Sequence, residues 1–156
     1  MTSPEERLAE MGLAVPEVAK PVAAYVPAVR SGDHVFTSGQ LPMRSGELMV
    51  TGKVGGEVTA EEAYACAQQC VLNAIAAVKS EIGDLDKVTH IVKLLCMVNS
   101  APGFGGESQV ANGATALRGA LYGERGRHAR SAVGLEKGEG PNSTCIEIEM
   151  IVEVGG

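Results

Sequence analysis

Residues 145–154 read "CIEIEMIVEV", and this alternation decides the fold. In an extended chain successive side chains point to opposite faces. Ile146, Ile148, Met150, Val152 and Val154 therefore share one side of a strand, and Glu147, Glu149, Ile151 and Glu153 share the other. The first side needs an apolar cover, and the second carries carboxylates.

Two helices supply the cover. Thr59-Ala60-Glu61-Glu62 has the form of a capping box, in which threonine and glutamate satisfy each other's backbone N–H groups. Beyond it Ala63, Cys66, Ala67, Cys70, Val71, Ala74, Ala77 and Val78 recur at steps of three and four, a narrow stripe of small residues that ends before Gly83. Val110, Ala114, Leu117 and Leu121 mark a second helical face that stops at Gly123.

The remaining segments read as strands. "AAYVPAVR" from Ala23 and "HVFTSG" up to Gly39 flank the turn-like Ser31-Gly32-Asp33, with Pro27 placing the first strand at an edge or a bulge. A very short third strand sits between Ser45-Gly46-Glu47 and Thr51-Gly52-Lys53. Val88 to Val98 reads as a strand buried on both faces, and residues 128–135 form one more before the polar, Gly-rich loop 136–143. Ser3-Pro4-Glu5-Glu6 opens a short helix ending near Gly12, within an N-terminal extension over residues 3–14.

The order β-β-(β)-α-β-α-β-β, with right-handed crossovers, puts both helices on one face of a mixed sheet in a two-layer α+β arrangement. The other, partly apolar face suits association of several copies around a shared centre, and a closed ring is expected.

Composition narrows the function. At 156 residues with 45% hydrophobic side chains, the chain is expected to form a single domain, residues 1–156. A net charge of −6 argues against a nucleic-acid partner, which requires clustered Lys and Arg. Cys66, Cys70, Cys96 and Cys145 lie in apolar segments without paired-ligand spacing, so they read as core thiols and no metal is expected. The polar, acidic start and the absence of a long apolar run predict a soluble, cytoplasmic protein with no membrane partner.

Arg130 is the residue hardest to explain on packing alone. It stands in "HARSAVG", residues 128–134, between Ala129 and Ser131. A guanidinium there would be costly unless it met a carboxylate, which its planar fork binds in bidentate fashion. One reading pairs it across strands with Glu147 or Glu149, and another offers it to a ligand. His128 and Ser131 face opposite sides of such a strand, which disfavours a Ser–His nucleophile. Thr37-Ser38-Gly39-Gln40 reads as a turn whose hydroxyls could also bind a polar ligand, and Pro102–Gly106 as a flexible entry to a helix rather than a phosphate loop.

Taken in order, "YVPAVRSGDHVFTSGQLPM", "VNSAPGF", "HARSAVG" and "IEIEMIVEV" resemble the YjgF family, also called RidA or Rid, the reactive-intermediate deaminases, over roughly residues 20–154. The most specific parts are TSGQLP at 37–42 and ARS followed by the IEIE strand. The resemblance implies a chorismate-mutase-like α+β fold, a barrel-forming homotrimer with clefts between subunits, and hydrolysis of enamines and imines such as 2-aminoacrylate to 2-keto acids and ammonia without a cofactor. It also implies that Arg130 binds the substrate carboxylate and that Glu147 holds the hydrolytic water, with Tyr25, Ser38 and Asn112 in the cleft. Ala132 stands where the RidA branch often has cysteine. Two alternatives follow from the breadth of the family: a non-catalytic 2-keto acid or amino acid binder, and an RNA-acting endoribonuclease or translation inhibitor.

Overall fold

A computed structural model of the chain describes residues 2–18, 23–137 and 143–155. Helix α1 (Pro4–Glu10) starts as its sequence dictates: Ser3 Oγ accepts the Glu6 N–H at 3.1 Å, and the Glu6 carboxylate accepts the Ser3 N–H at 2.7 Å. Leu8 fixes it to the core.

The first strand is shorter than its apolar run. Pro27 has no N–H to give to a ladder, so β1 (Ala28–Ser31) begins just after it and pairs antiparallel with β2 (His34–Thr37). The expected single third strand is instead a hairpin, β3 (Met43–Arg44) and β4 (Glu47–Leu48), forming its own two-stranded sheet. Ser45 and Gly46 turn it with φ of 53° and 84°, the left-handed geometry that tight hairpins require.

Helix α2 (Ala60–Ile82) carries the anticipated capping box, with Thr59 and Glu62 bonded reciprocally at 3.1 Å. Its small-residue stripe is buried throughout, and Gly83 ends it at φ 79°. Helix α3 (Glu107–Tyr122) buries Val110, Ala114, Leu117 and Leu121. The two helices approach closely at Gly113, where a Cβ would lie 2.4 Å from the Tyr64 carbonyl oxygen.

Strand β5 (Val88–Asn99) runs parallel to β6 (Ala129–Leu135) and antiparallel to β7 (Ile146–Val154), and the main sheet has the order β1-β2-β7-β5-β6. The fold is thus α+β, with a mixed sheet whose helix-covered side buries Val35, Leu94, Cys96, Ile146, Ile148, Met150 and Val152.

The opposite side corrects the reading of β5 as buried on both faces. Leu95 and Met97 are only half-buried, because no element among the described residues covers that side. Register aligns Val29 with Phe36 and Phe36 with Ile151, giving an apolar stripe on which Val29 is 52% and Phe36 44% exposed. All four cysteines are buried and free, and among the described residues no helix is long and apolar enough to cross a membrane.

Candidate functional site

Arg130 lies on β6, an edge strand of the sheet. It is paired in register with Leu94, which in turn pairs with Met150, so its side chain leaves on the helix-covered side. There Nη1 donates to Asn112 Oδ1 at 2.8 Å and to Thr115 Oγ1 at 3.1 Å, both on α3. Nη2 reaches the Ser108 carbonyl at 3.5 Å. The structure brings Asn112 and Arg130 together, and α3 holds the guanidinium with neutral groups only. Nε makes no hydrogen bond among the described residues and Nη2 only the long one to Ser108, so the Nε–Nη2 edge, with the parallel donors of the pattern a carboxylate fits, is largely uncommitted.

The cross-strand pairing of Arg130 with Glu147 or Glu149 does not form. Strand β5 separates β6 from β7, and Glu147 aligns with Met97 and Val133 on the side opposite Arg130. Glu147 instead meets Lys137, whose Nζ donates to Oε1 at 2.6 Å, both groups about a quarter exposed. The Lys137 backbone N–H is held by Asn99 Oδ1 at 3.1 Å, which places the loop residue beside the strand.

Glu147 also touches the segment that follows β2. Gln40 and Ile148 exchange backbone bonds of 2.8 and 3.0 Å, which draws Ser38-Gly39-Gln40 alongside β7. A Cβ on Gly39 would stand 2.0 Å from Glu147 Oε2, so the carboxylate occupies the place a side chain would take. Ser38 Oγ donates to the Val26 carbonyl at 2.5 Å, next to Tyr25, which is half exposed. Tyr25, Ser38, Gly39 and Gln40 border a cavity of about 1110 Å³ whose other wall includes residues 12–14 and 16–18 of the N-terminal extension.

The anticipated residues therefore fall into two groups. Arg130 and Asn112 form one at the β6 edge; Tyr25, Ser38 and Glu147 form the other around the end of β2. Between Arg130 and the core, Cys96 lies in register with Ala132; burial pushes its thiol up to about 11, with the Arg130 charge opposing. Two participants went unread in the sequence. Thr115 is three residues from Asn112 and so shares its helix face, a signal that was available; Lys137 sits in a loop without periodicity and gave none.

The mixed sheet with its helix-backed face, and an edge-strand arginine braced by side chains of α3, define an α+β protein of this topology. Residues 5–149 match the family model described as "YjgF/chorismate mutase-like, putative endoribonuclease", and the chain belongs to that family. It is 39% identical over 148 residues to Protein TCP17 of Trypanosoma cruzi, covering 94% of this chain and 91% of that one. A crystal structure of a protein of unknown function from Agrobacterium tumefaciens is 42% identical and superposes with a TM-score of 0.88, covering 98% and 94% of the two chains. A Shewanella oneidensis protein called a "putative endoribonuclease" is 31% identical, with a TM-score of 0.92 and coverage of 98% and 100%.

Proposed function

We propose that the protein is an enamine/imine deaminase that hydrolyses small 2-imino acids to 2-keto acids and ammonia. The observation that carries this reading is the half-buried Arg130 fork, braced by Asn112 and Thr115 and paired with no acid among the described residues. A buried structural arginine would be expected to meet a carboxylate of the chain itself; the lack of one among the described residues supports a carboxylate from outside.

In this mechanism Arg130 binds the substrate carboxylate and sets the C=N carbon against a water. Glu147 takes a proton from that water as its oxygen bonds to the carbon and the C=N π pair moves to nitrogen; it returns that proton to the nitrogen of the carbinolamine, then accepts the hydroxyl proton as the C–N bond breaks, so that ammonia leaves and the carbonyl forms. A protonated imine is already electrophilic, so positioning supplies most of the rate. Because Arg130 and Glu147 occupy opposite sides of one sheet, the reaction needs the Arg130 edge of one copy beside the Glu147 region of another. The proposed assembly is a homotrimer whose exposed apolar sheet faces form the shared centre, with the cleft at each subunit boundary.

The Lys137–Glu147 contact at 2.6 Å favours a second reading, in which the carboxylate is already engaged and the site binds a 2-keto acid or amino acid without turnover. An RNA substrate, which the names of some relatives suggest, is disfavoured by the net charge of −6.

The test is ammonia and keto-acid release from freshly generated 2-iminopropanoate and 2-iminobutanoate, comparing the protein with Arg130→Ala. Arginine-dependent acceleration supports the deaminase. Keto-acid binding without acceleration would move the assignment to the binding role.

A further inference from the structure

His128 has no part in the chemistry above, yet it is tied to Arg130 through Thr115. His128 Nδ1 lies 3.0 Å from the Gly126 carbonyl oxygen, and Nε2 lies 3.2 Å from Thr115 Oγ1. A carbonyl oxygen only accepts, so Nδ1 carries a proton, and in the neutral ring Nε2 is then an acceptor. Arg130 can only donate, which makes Thr115 Oγ1 the acceptor in their 3.1 Å contact. The single hydroxyl proton of Thr115 therefore goes to His128 Nε2. The chain of donors runs one way, from Arg130 to Thr115, from Thr115 to His128, and from His128 to the backbone of Gly126.

We infer that His128 is a positioning residue for the substrate carboxylate: through Thr115 it holds the Arg130 guanidinium in the rotation that presents its Nε–Nη2 edge. This role rests on the reading of Arg130 as the carboxylate anchor.

The surroundings keep the ring in the required form. Burial lowers the His128 pKa below its ordinary value, and although the Gly126 hydrogen bond raises it, Arg118 on α3, Arg130 on β6 and His90 on β5 all lower it further. A protonated ring would turn Nε2 into a donor, reverse the middle link and set a second cation behind Arg130. The bond to Gly126, two residues back, sets the tautomer, so a local turn contact determines what a distant guanidinium meets.

The experiment uses four single variants of the full chain at His128 and Thr115, the double variant His128→Phe/Thr115→Val, and Arg130→Ala as the reference. His128→Phe and Thr115→Val cut the chain of bonds; His128→Gln and Thr115→Ser keep an acceptor and a hydroxyl at the same places. Binding of 2-oxobutanoate is measured by calorimetry, together with KM and kcat for 2-iminobutanoate and nitrogen NMR of the His128 ring. The cutting variants should each weaken binding and raise KM by about 3–10-fold with kcat within about twofold, the size of one lost neutral hydrogen bond acting on bound states alike. The conserving variants should restore most of the affinity, and the double variant His128→Phe/Thr115→Val should be no worse than either single one. Binding that is lost in Arg130→Ala but unchanged in His128→Phe, additive losses in the double variant, or a native ring protonated on Nε2 would overturn the role of His128 alone. Failure of the native protein to bind 2-oxobutanoate would overturn the reading of Arg130 and this role with it.

Discussion

Replacing Arg130 by lysine isolates the fork from the charge. In the native site Nη1 is spent on Asn112 and Thr115 and Nη2 makes only a long contact with Ser108, so on the proposed reading a carboxylate would meet two donors on the Nε–Nη2 edge. A lysine ammonium keeps the charge but is a point donor on a flexible stem, and it cannot present two parallel bonds. One charge-assisted hydrogen bond is worth about 1.5–3 kcal/mol. Because the guanidinium is half-buried and partly screened, the lower half of that range applies, and about 1.5–2.2 kcal/mol corresponds to roughly 10–40-fold. The expected result is therefore a fall in kcat/KM of about 10–40-fold for 2-iminobutanoate. Asn112 is exposed and can turn to water, so the melting temperature should move by no more than about 2 °C. Steady-state assay of keto-acid release and a thermal scan give both numbers. A lysine variant within about twofold of the native kcat/KM would show that charge alone suffices, and the argument from the braced fork would fail.

Other outcomes follow from separate parts of the fold. Gly113→Ala puts a Cβ 2.4 Å from the Tyr64 carbonyl oxygen and should lower unfolding free energy by about 1–2 kcal/mol despite the better helix propensity, while Gly119→Ala, in the same helix with nothing within 4 Å, should raise it by about 0.5–1 kcal/mol; urea unfolding compares them. The folded pKa of His128 lies below 6.5, so between that pKa and 6.5 the unfolded chain binds more protons than the native one, and the contribution of this group falls as pH drops through the window and is flat above it. His128→Gln should therefore lose part of the difference between native stability at pH 7.5 and pH 5.5. Phe36→Asp places a charge in the exposed stripe beside Val29 and Ile151 and should reduce the molar mass seen by light scattering if that face joins copies.

Much of the architecture was legible because burial imposes a period. The alternation of residues 145–154 assigned one face to the core, and the α2 stripe identified the helix that covers it. The misread parts are those where backbone chemistry overrides hydrophobicity. Ala23 to Val26 look strand-like, but Pro27 cannot donate, and pairing begins only at Ala28. A two-residue strand such as Met43–Arg44 is too short to show any period, so its hairpin was hidden behind the turn residues Ser45 and Gly46. Leu95 and Met97 gave β5 the apolar text of a strand buried twice over, although only one of its faces is covered by described residues.

The candidate residues could be named from the sequence, but their arrangement could not. Arg130 stood out through the cost of placing a charge among small apolar neighbours, whereas the alternation offered Glu147, Glu149 and Glu153 alike and only the family resemblance singled out Glu147. Which side of the sheet each one faces depends on register, and the register connecting them passes through β5, whose pairing no local pattern reveals. Parity within a single strand is readable from sequence; parity between β6 and β7 is not, because the two do not pair directly and the strand that lies between them comes earlier in the chain. Once Leu94 is aligned with Arg130 and Met97 with Glu147, the two residues fall three positions apart on β5 and therefore on opposite faces. A reaction that uses both must therefore bring a sheet edge of one copy to the carboxylate face of another. The proposed chemistry and the proposed assembly then stand on the same three-residue offset, and a monomer that retained full turnover would refute them together.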